Sequence, residues 1–202
     1  MNEIDTTQET GISKSKNAII EEAQRIEENC SLTAKAHFEA ARVWGSCDLS
    51  TGVVVAILAA IAGALALAQF DPQELFNVII GITSIVVAVL AGVSAFLRPN
   101  EKALTHHQAG TNFDSLLTRT RMFRSIECWQ VESEEILTKK LETLSEERSR
   151  LNSTSRQPPR WAYKRAKKGI DAGEASYAVD NKRANANGGE KQKLPPAAPP
   201  AQ

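Results

Sequence analysis

Charge is missing from two long stretches of this 202-residue chain. Between Asp48 and Asp71 lie 22 uncharged residues, 49–70, and between Glu74 and Arg98 lie 23 more, 75–97. At about 1.5 Å of rise per residue, each stretch would extend roughly 33 Å as a helix, against about 30 Å of bilayer hydrocarbon. Both therefore read as transmembrane helices. They start too deep for a cleaved signal peptide, and no basic region precedes them. The alternative is a buried hairpin in a soluble protein, and the rest of the chain is very polar for that purpose.

Other absences narrow the chemistry. There are three cysteines, Cys30, Cys47 and Cys128, with no C-x-x-C spacing, and disulfides are not expected among them. His106 and His107 are adjacent, so on a helix their side chains point about 100° apart, a poor geometry for one metal. No phosphate-binding glycine loop, dinucleotide fingerprint or nucleophile motif occurs. No enzyme activity, cofactor, metal or nucleic-acid partner is expected. Neither apolar stretch contains an ionisable residue, which argues against a proton- or ion-coupled transporter.

Between the two stretches sits a short polar island, Asp71-Pro72-Gln73-Glu74. A loop this short makes the helices antiparallel neighbours. Pro72 suits the first central position of a turn and Asp71 the position before it. The island lacks Lys and Arg, whereas Lys35, Arg42, Arg98 and Lys102 flank the outer ends. Excess positive charge stays on the cytoplasmic side. The fold class is thus an all-α membrane protein, a two-transmembrane helical hairpin with long amphipathic cytoplasmic helices. Both termini are expected to face the cytoplasm.

The two spans differ in kind. The first has nine strongly apolar residues, contributing about −3 to −5 kcal/mol on insertion scales; the second has fourteen, contributing about −4 to −8. Small residues recur every fourth position at Gly52, Ala56, Ala60, Ala64 and Ala68, and again at Ser84, Ala88 and Gly92, a pattern that lets helix backbones approach. Either the ladders pack on each other within the hairpin, or they also build a homo-oligomer. Thr83, Val87, Leu90 and Ser94 share a mixed face that can line a pore. The alternative is that Thr and Ser merely bond back to their own helix. Around an oligomer axis, Asp71 and Glu74 would form an outer carboxylate ring.

The polar parts divide as follows. Residues 1–12 carry no period and read as disordered. Over residues 13–48, Ile19, Ala23, Ile26, Cys30, Thr33, His37, Ala40 and Trp44 form one narrow stripe of a long helix running into the first span. This stripe suits a partner helix or a coiled coil, with His37 as a packed histidine. Residues 98–180 form a helical region. Pro99 starts or kinks a helix. Leu104, His107, Phe113, Leu117 and Ile126 are its expected buried side. Leu137, Leu141, Leu144, Arg148 and Leu151 mark a second helix, and "STSRQPP" ends it. A last helix begins at Pro159, and 181–202 is a low-complexity, disordered tail. Zero net charge hides an asymmetry: residues 1–48 have 5 basic and 9 acidic side chains, residues 98–202 have 19 and 13. The two regions can pair with each other. Alternatively the cluster around Arg160–Lys168 meets anionic lipid or stays solvated.

With this layout the chain resembles the SLATT domain family, two-transmembrane effectors associated with nucleotide second-messenger synthases and SLOG nucleotide sensors. The resemblance spans about residues 15–180. It rests on the order of parts and on two stretches. One runs through Pro99, His107, Gly110, Phe113, Leu116 and Arg121. The other runs through Leu151, Asn152, Pro158, Pro159, Tyr163, Ala166, Ile170, Gly173, Glu174 and Tyr177. The resemblance implies a membrane effector of a conflict or antiviral defence system, located in a bacterial inner membrane. Such an effector assembles into a pore that disrupts the inner membrane and kills or arrests the cell. It also implies a nucleotide second messenger, or its synthase or sensor protein, as the trigger. A membrane-anchored scaffold that tethers a partner through its cytoplasmic helices is the competing reading.

Overall fold

The computed structural model describes residues 3–67, 73–130 and 133–174. All regular structure among the described residues is helical. Helix α1 covers Glu3–Leu67, α2 Gln73–Leu97, α3 Pro99–Ser125, α4 Glu134–Thr154 and α5 Arg160–Asp171, with a short 3-10 turn at Glu127–Trp129. The expected turn at Asp71-Pro72 and the tail from residue 175 lie outside the described residues.

Helix α1 is a single 65-residue rod, about 100 Å long. It joins the polar segment to the first apolar stretch without a break, as the sequence implied. It also reaches back to Glu3, through residues expected to be disordered. No proline interrupts that segment, so a helix already nucleated downstream can propagate through it.

The second apolar helix meets α3 at a sharp joint. Arg98 adopts φ 46° and ψ 58°, the left-handed region. A residue before proline is disfavoured in the right-handed helical region, so Pro99 drives the chain out of α2 at this point. The Arg98 N–H still donates to the Ser94 carbonyl at 3.0 Å, and the Lys102 N–H to the Arg98 carbonyl at 3.2 Å. Arg98 thus closes one helix and opens the next, with Pro99 at the first helical position, where its missing N–H costs nothing.

Helix α3 then packs along the polar half of α1. The core between α1, α3 and α4 contains Ile19, Ala23, Ile26, Cys30, Phe113, Leu116, Phe123, Leu137, Leu144 and Leu151. The α3 face differs from the expected one. Leu104 and Ile126 are 66% and 50% exposed and His107 is exposed, while His106, Ala109, Gly110, Leu116, Thr120 and Phe123 are buried with Phe113 and Leu117. Large side chains drew the sequence reading; helix contact selected the small residues instead. Gly110 shows why. A Cβ there would fall 2.8 Å from the Phe38 ring.

The buried face of α1 is wider than one stripe. Leu32 and Ala36 are buried against Ala166 of α5, with Tyr163 and Ile170 beside them. This second cluster lies off the Ile26–Cys30 line because α5 covers a different side of the rod. Helix α4 ends at Thr154, and the backbone is already extended at Ser155, ahead of Pro158 and Pro159. Helix α5 stops at Asp171, short of the run to residue 180 that its sequence suggested. Gly173 has φ 85°, its N–H donates to the Ile170 carbonyl and the Glu174 N–H to the Gly169 carbonyl. These two bonds make a Schellman cap, for which glycine supplies the left-handed residue.

Replacing Gly110 by Ala tests the α1–α3 contact. Helix propensity alone would stabilise by about 1 kcal/mol, whereas forcing the Phe38 ring aside costs about 1–3 kcal/mol. A net loss of stability by urea denaturation is expected, with partial recovery in the Phe38→Leu, Gly110→Ala double variant.

Candidate functional site

Two regions stand out: the apolar pair α1–α2 and the polar body wrapped on α1. Both apolar stretches are long and apolar enough to cross a membrane, and only 6% and 0% of their most apolar windows is buried. A core hairpin of a soluble protein would show the opposite. Val53, Ile57, Ile61, Val78, Ile82, Ile85, Val89 and Phe96 all stand open.

The two stretches touch each other along one line. On α1 the half-buried residues are Thr51, Val55, Leu58, Ala62 and Leu65; on α2 they are Phe76, Ile80, Thr83, Val87, Leu90 and Ser94. Thr83, Val87, Leu90 and Ser94, read from sequence as a face for a pore, therefore form the seam against α1 within one chain. Thr83 and Ser84 donate to the carbonyls of Ile79 and Ile80, both at 2.8 Å, the back-bonding that was the alternative reading.

The small residues are placed differently from the expected ladder. Gly52, Ala56, Ala60, Ala64, Ser84, Ala88 and Gly92 are all exposed, and a Cβ at Gly52 or Gly92 would meet nothing within 4 Å. They do not pack within the pair. A four-residue repeat also advances 400°, so it drifts about 40° per step around the rod. Ala60 consequently points away from α2, and Ala64 lies about 120° around the rod from Gly52. The row that stays on one side follows each seam residue by one position. On α1 this row is Gly52, Ala56, Ala59, Gly63 and Ala66; on α2 it is Asn77, Gly81, Ser84, Ala88, Ala91 and Ala95. One position before each seam residue of α2 stand Leu75, Ile79, Ile82, Val86, Val89 and Val93, and on α1 Val54, Ile57 and Ile61 occupy the matching places. Gly52 shares a crevice with Ala91 and Ala95, which puts the two small rows on one side. Ala68 and Asp71 lie outside the described residues; Glu74 is exposed in the first turn of α2.

In the polar body, most family-like residues serve packing. Pro99 is buried at the head of α3, Gly110 admits Phe38, and Phe113 is 1% exposed in the core. Arg121 Nε donates to Glu27 Oε1 at 2.9 Å, and Arg124 Nε to Glu27 Oε2 at 2.8 Å. This carboxylate, 9% exposed, clamps α3 to α1 with charge-assisted bonds. Pro159 caps α5, Tyr163 packs on Leu32 and Ala36, and Asn152 is exposed. Tyr177 lies outside the described residues. The acidic first helix and the basic later region do pair, through Glu27, Glu39 with Arg165 at 3.8 Å, and Lys35 with Glu174 at 2.7 Å, the last with the charges reversed.

Sequence reasoning missed one buried pair. His37 and His106 approach Nδ1 to Nδ1 at 3.0 Å across α1 and α3, and Phe113 stacks on His37 at 5.7 Å. One imidazole must donate and the other accept, so the accepting ring is neutral in this geometry. Burial, then the neighbouring His106, pushes His37 down to about 4; burial, then Arg156, lowers His106. Likewise, burial raises the Cys30 thiol to about 11 and leaves it unreactive.

His107 has the opposite setting. It is exposed, tilted on Phe38 at 5.6 Å, and faces a groove of about 750 Å³ between α1, α3 and the end of α5. Lys35, Arg42, Asn100 and Glu174 line the same groove. The Lys35 ammonium, by hydrogen bond and charge, holds the Glu174 carboxyl below its usual range. No three His, Cys, Asp or Glu side chains converge as a metal site among the described residues.

No protein-family model matches this chain, and no curated protein or solved structure matches it either.

The histidine pair makes stability pH-dependent with a definite sign. His37 has a lower pKa folded than unfolded, so the unfolded chain binds the extra proton between about pH 6.5 and 4. The stabilisation is complete above pH 6.5 and is lost as pH falls toward 4. Between pH 8 and pH 5 the loss from His37 is about 2 kcal/mol. Urea midpoints at the two pH values check it, and His37→Phe should flatten the dependence.

Proposed function

We propose that the chain is a membrane effector whose two apolar helices span a bacterial inner membrane as an antiparallel hairpin, with both termini in the cytoplasm. Oligomerisation through the hairpin forms a pore that disrupts the membrane and kills or arrests the cell. The observation that carries this reading is the two-sidedness of the apolar pair. In an antiparallel hairpin, a step of one residue past the seam turns toward the same side on both helices. The Gly52–Ala66 row and the Gly81–Ala95 row then merge into one smooth face, and Ile, Val and Leu cover the other. Lipid tails are as apolar as leucine, so a lipid-facing surface gains nothing from being small; close helix approach does. The smooth face fits a second copy of the hairpin and the bulky face fits lipid. The resemblance to SLATT-domain effectors supplies the biological setting, nucleotide-signalled antiviral defence, with the trigger coming from another protein or a diffusible nucleotide.

The variants Gly63→Leu and Ala88→Leu test the interface. Gly63 has open space at its Cβ position, so the single chain tolerates the larger side chain, and any effect reports on contact between copies. Self-association in detergent should weaken at least about tenfold, ~1.4 kcal/mol, and triggered cells should keep their membrane potential. Ile61→Leu and Val86→Leu on the opposite face should change neither. A pure tether would instead survive exchange of the hairpin for an unrelated one of equal length. If copies surround an axis, Asp71→Asn with Glu74→Gln lowers cation preference in single-channel recordings while insertion is unchanged.

A further inference from the structure

The groove beside His107 is occupied, at one end, by the chain's own carboxylate. Glu174 is the first residue past the α5 cap, and three features place it. The Schellman bonds at Gly173 fix where the chain leaves the helix. Lys35 Nζ donates to Glu174 Oε2 at 2.7 Å, across 139 residues of sequence. Gly169 leaves room for the pair: a Cβ there would collide with Glu174 Oε2 and come within 2.6 Å of Lys35 Nζ. The glycine, the cap and the ion pair form one local arrangement, aimed at Lys35.

The partners of this contact are unequal. The Lys35 side chain is 20% exposed and that of Glu174 63%. An ion pair so open to water is weak and easily exchanged. Arg42 lies two turns along α1 from Lys35 on the same groove and close enough to act on the Glu174 carboxylate. Its own hydrogen bond, to Glu39 Oε1 at 3.1 Å, is a surface pair within one helix, and Glu39 already has Arg165 at 3.8 Å. With Glu174 displaced, Glu39 is the one carboxylate left on the groove beside Lys35 and Arg42, and it is shared with Arg165. Asn100 and His107 add polar groups, and Phe38 gives an apolar floor.

We infer that this groove is a binding site for a phosphate-bearing ligand, and that Glu174 is the internal anion the phosphate displaces from Lys35. One carboxylate hydrogen-bonds Lys35 alone, whereas a phosphate carries more charge and three acceptor oxygens to bridge Lys35 and Arg42. Releasing Glu174 would also free the segment after α5 from α1. The site does not depend on whether the hairpin conducts.

The test uses the full chain in neutral detergent, with inorganic pyrophosphate as probe and isothermal titration calorimetry as readout at low salt. Glu174→Gln removes the competing anion and should tighten pyrophosphate binding about two- to five-fold, the scale of one exposed ion pair. Lys35→Ala should abolish it. Because Lys35 packs beside Gly169, Arg42→Gln is the second variant; it should weaken binding while thermal unfolding stays that of the wild type. Absence of binding in Glu174→Gln, or equal affinity in all four proteins, overturns the proposal. Repeating the titration in phosphatidylcholine and phosphatidylglycerol nanodiscs separates two sources of the phosphate. Competition from phosphatidylglycerol identifies a lipid headgroup as the occupant, and unchanged affinity identifies a soluble phosphate compound.

Discussion

One unbroken helix is the constraint on which the rest depends. Because α1 carries both the apolar stretch and the inner wall of the polar body, every other element is positioned relative to a single rod. Helices α3, α4 and α5 all contact it. No proline lies anywhere in Glu3–Leu67, and the helix runs unbroken through the Gly45–Ser46 pair. The clamp at Glu27, the ion pair at Lys35 and the imidazole pair at His37 then fall in order along its length. Each ties a different part of the later chain to it.

The polar body is held by small residues and specific polar contacts as much as by bulk. Ala23, Ala36, Ala40 and Ala166 are completely buried, and Gly110 admits an aromatic ring from α1. Close approach of this kind leaves little room for solvent, which is why the buried polar groups must satisfy each other. His37 meets His106, Glu27 meets two arginines, and Thr120 bonds the Leu116 carbonyl at 2.8 Å. Among the described residues no buried side-chain nitrogen or oxygen lacks a partner. An apolar core of the same size would tolerate sliding of α3 along α1; this polar register does not.

How much of this was legible in sequence follows the physics of each feature. The continuous first helix, its Ile19–Ala40 stripe and the Leu137–Leu151 helix are local periodicities, and the structure contains them. The apolar stretches were legible from the absence of charge alone. Face assignment was harder. On α3, Leu104 and Ile126 outweighed glycine and alanine in the pattern, yet tight helix packing prefers the latter. In the apolar pair, an exact four-residue repeat looked like a face, although a straight helix needs alternating steps of three and four to keep one. Thr83, Val87, Leu90 and Ser94 obey that alternation, and for that reason they form the seam. Tertiary pairings such as His37 with His106 leave no local trace, because the partners lie 69 positions apart. A faint signal existed for Glu27: it adjoins the buried Ile26, and Arg121 and Arg124 recur at helical spacing.

The joint at Arg98 connects the two halves of the molecule in a way the rod alone does not. A change in the polar body can reach the apolar pair along α1, which is stiff, or through α3 and α2, which meet at one left-handed residue. A non-glycine residue in that region is strained by about 1–2 kcal/mol, and the exposed Arg98–Glu101 pair at 3.3 Å adds little to hold it. Arg98 is therefore the strained backbone point on the second route. Asn100, on the groove, lies two residues beyond it, and Ser94, on the seam, is bonded to it. A ligand that alters the first turn of α3 acts next to the residue whose two dihedral angles set the direction of α2. The two dihedral angles of Arg98 thus fix both where α3 departs and which face of α2 meets α1.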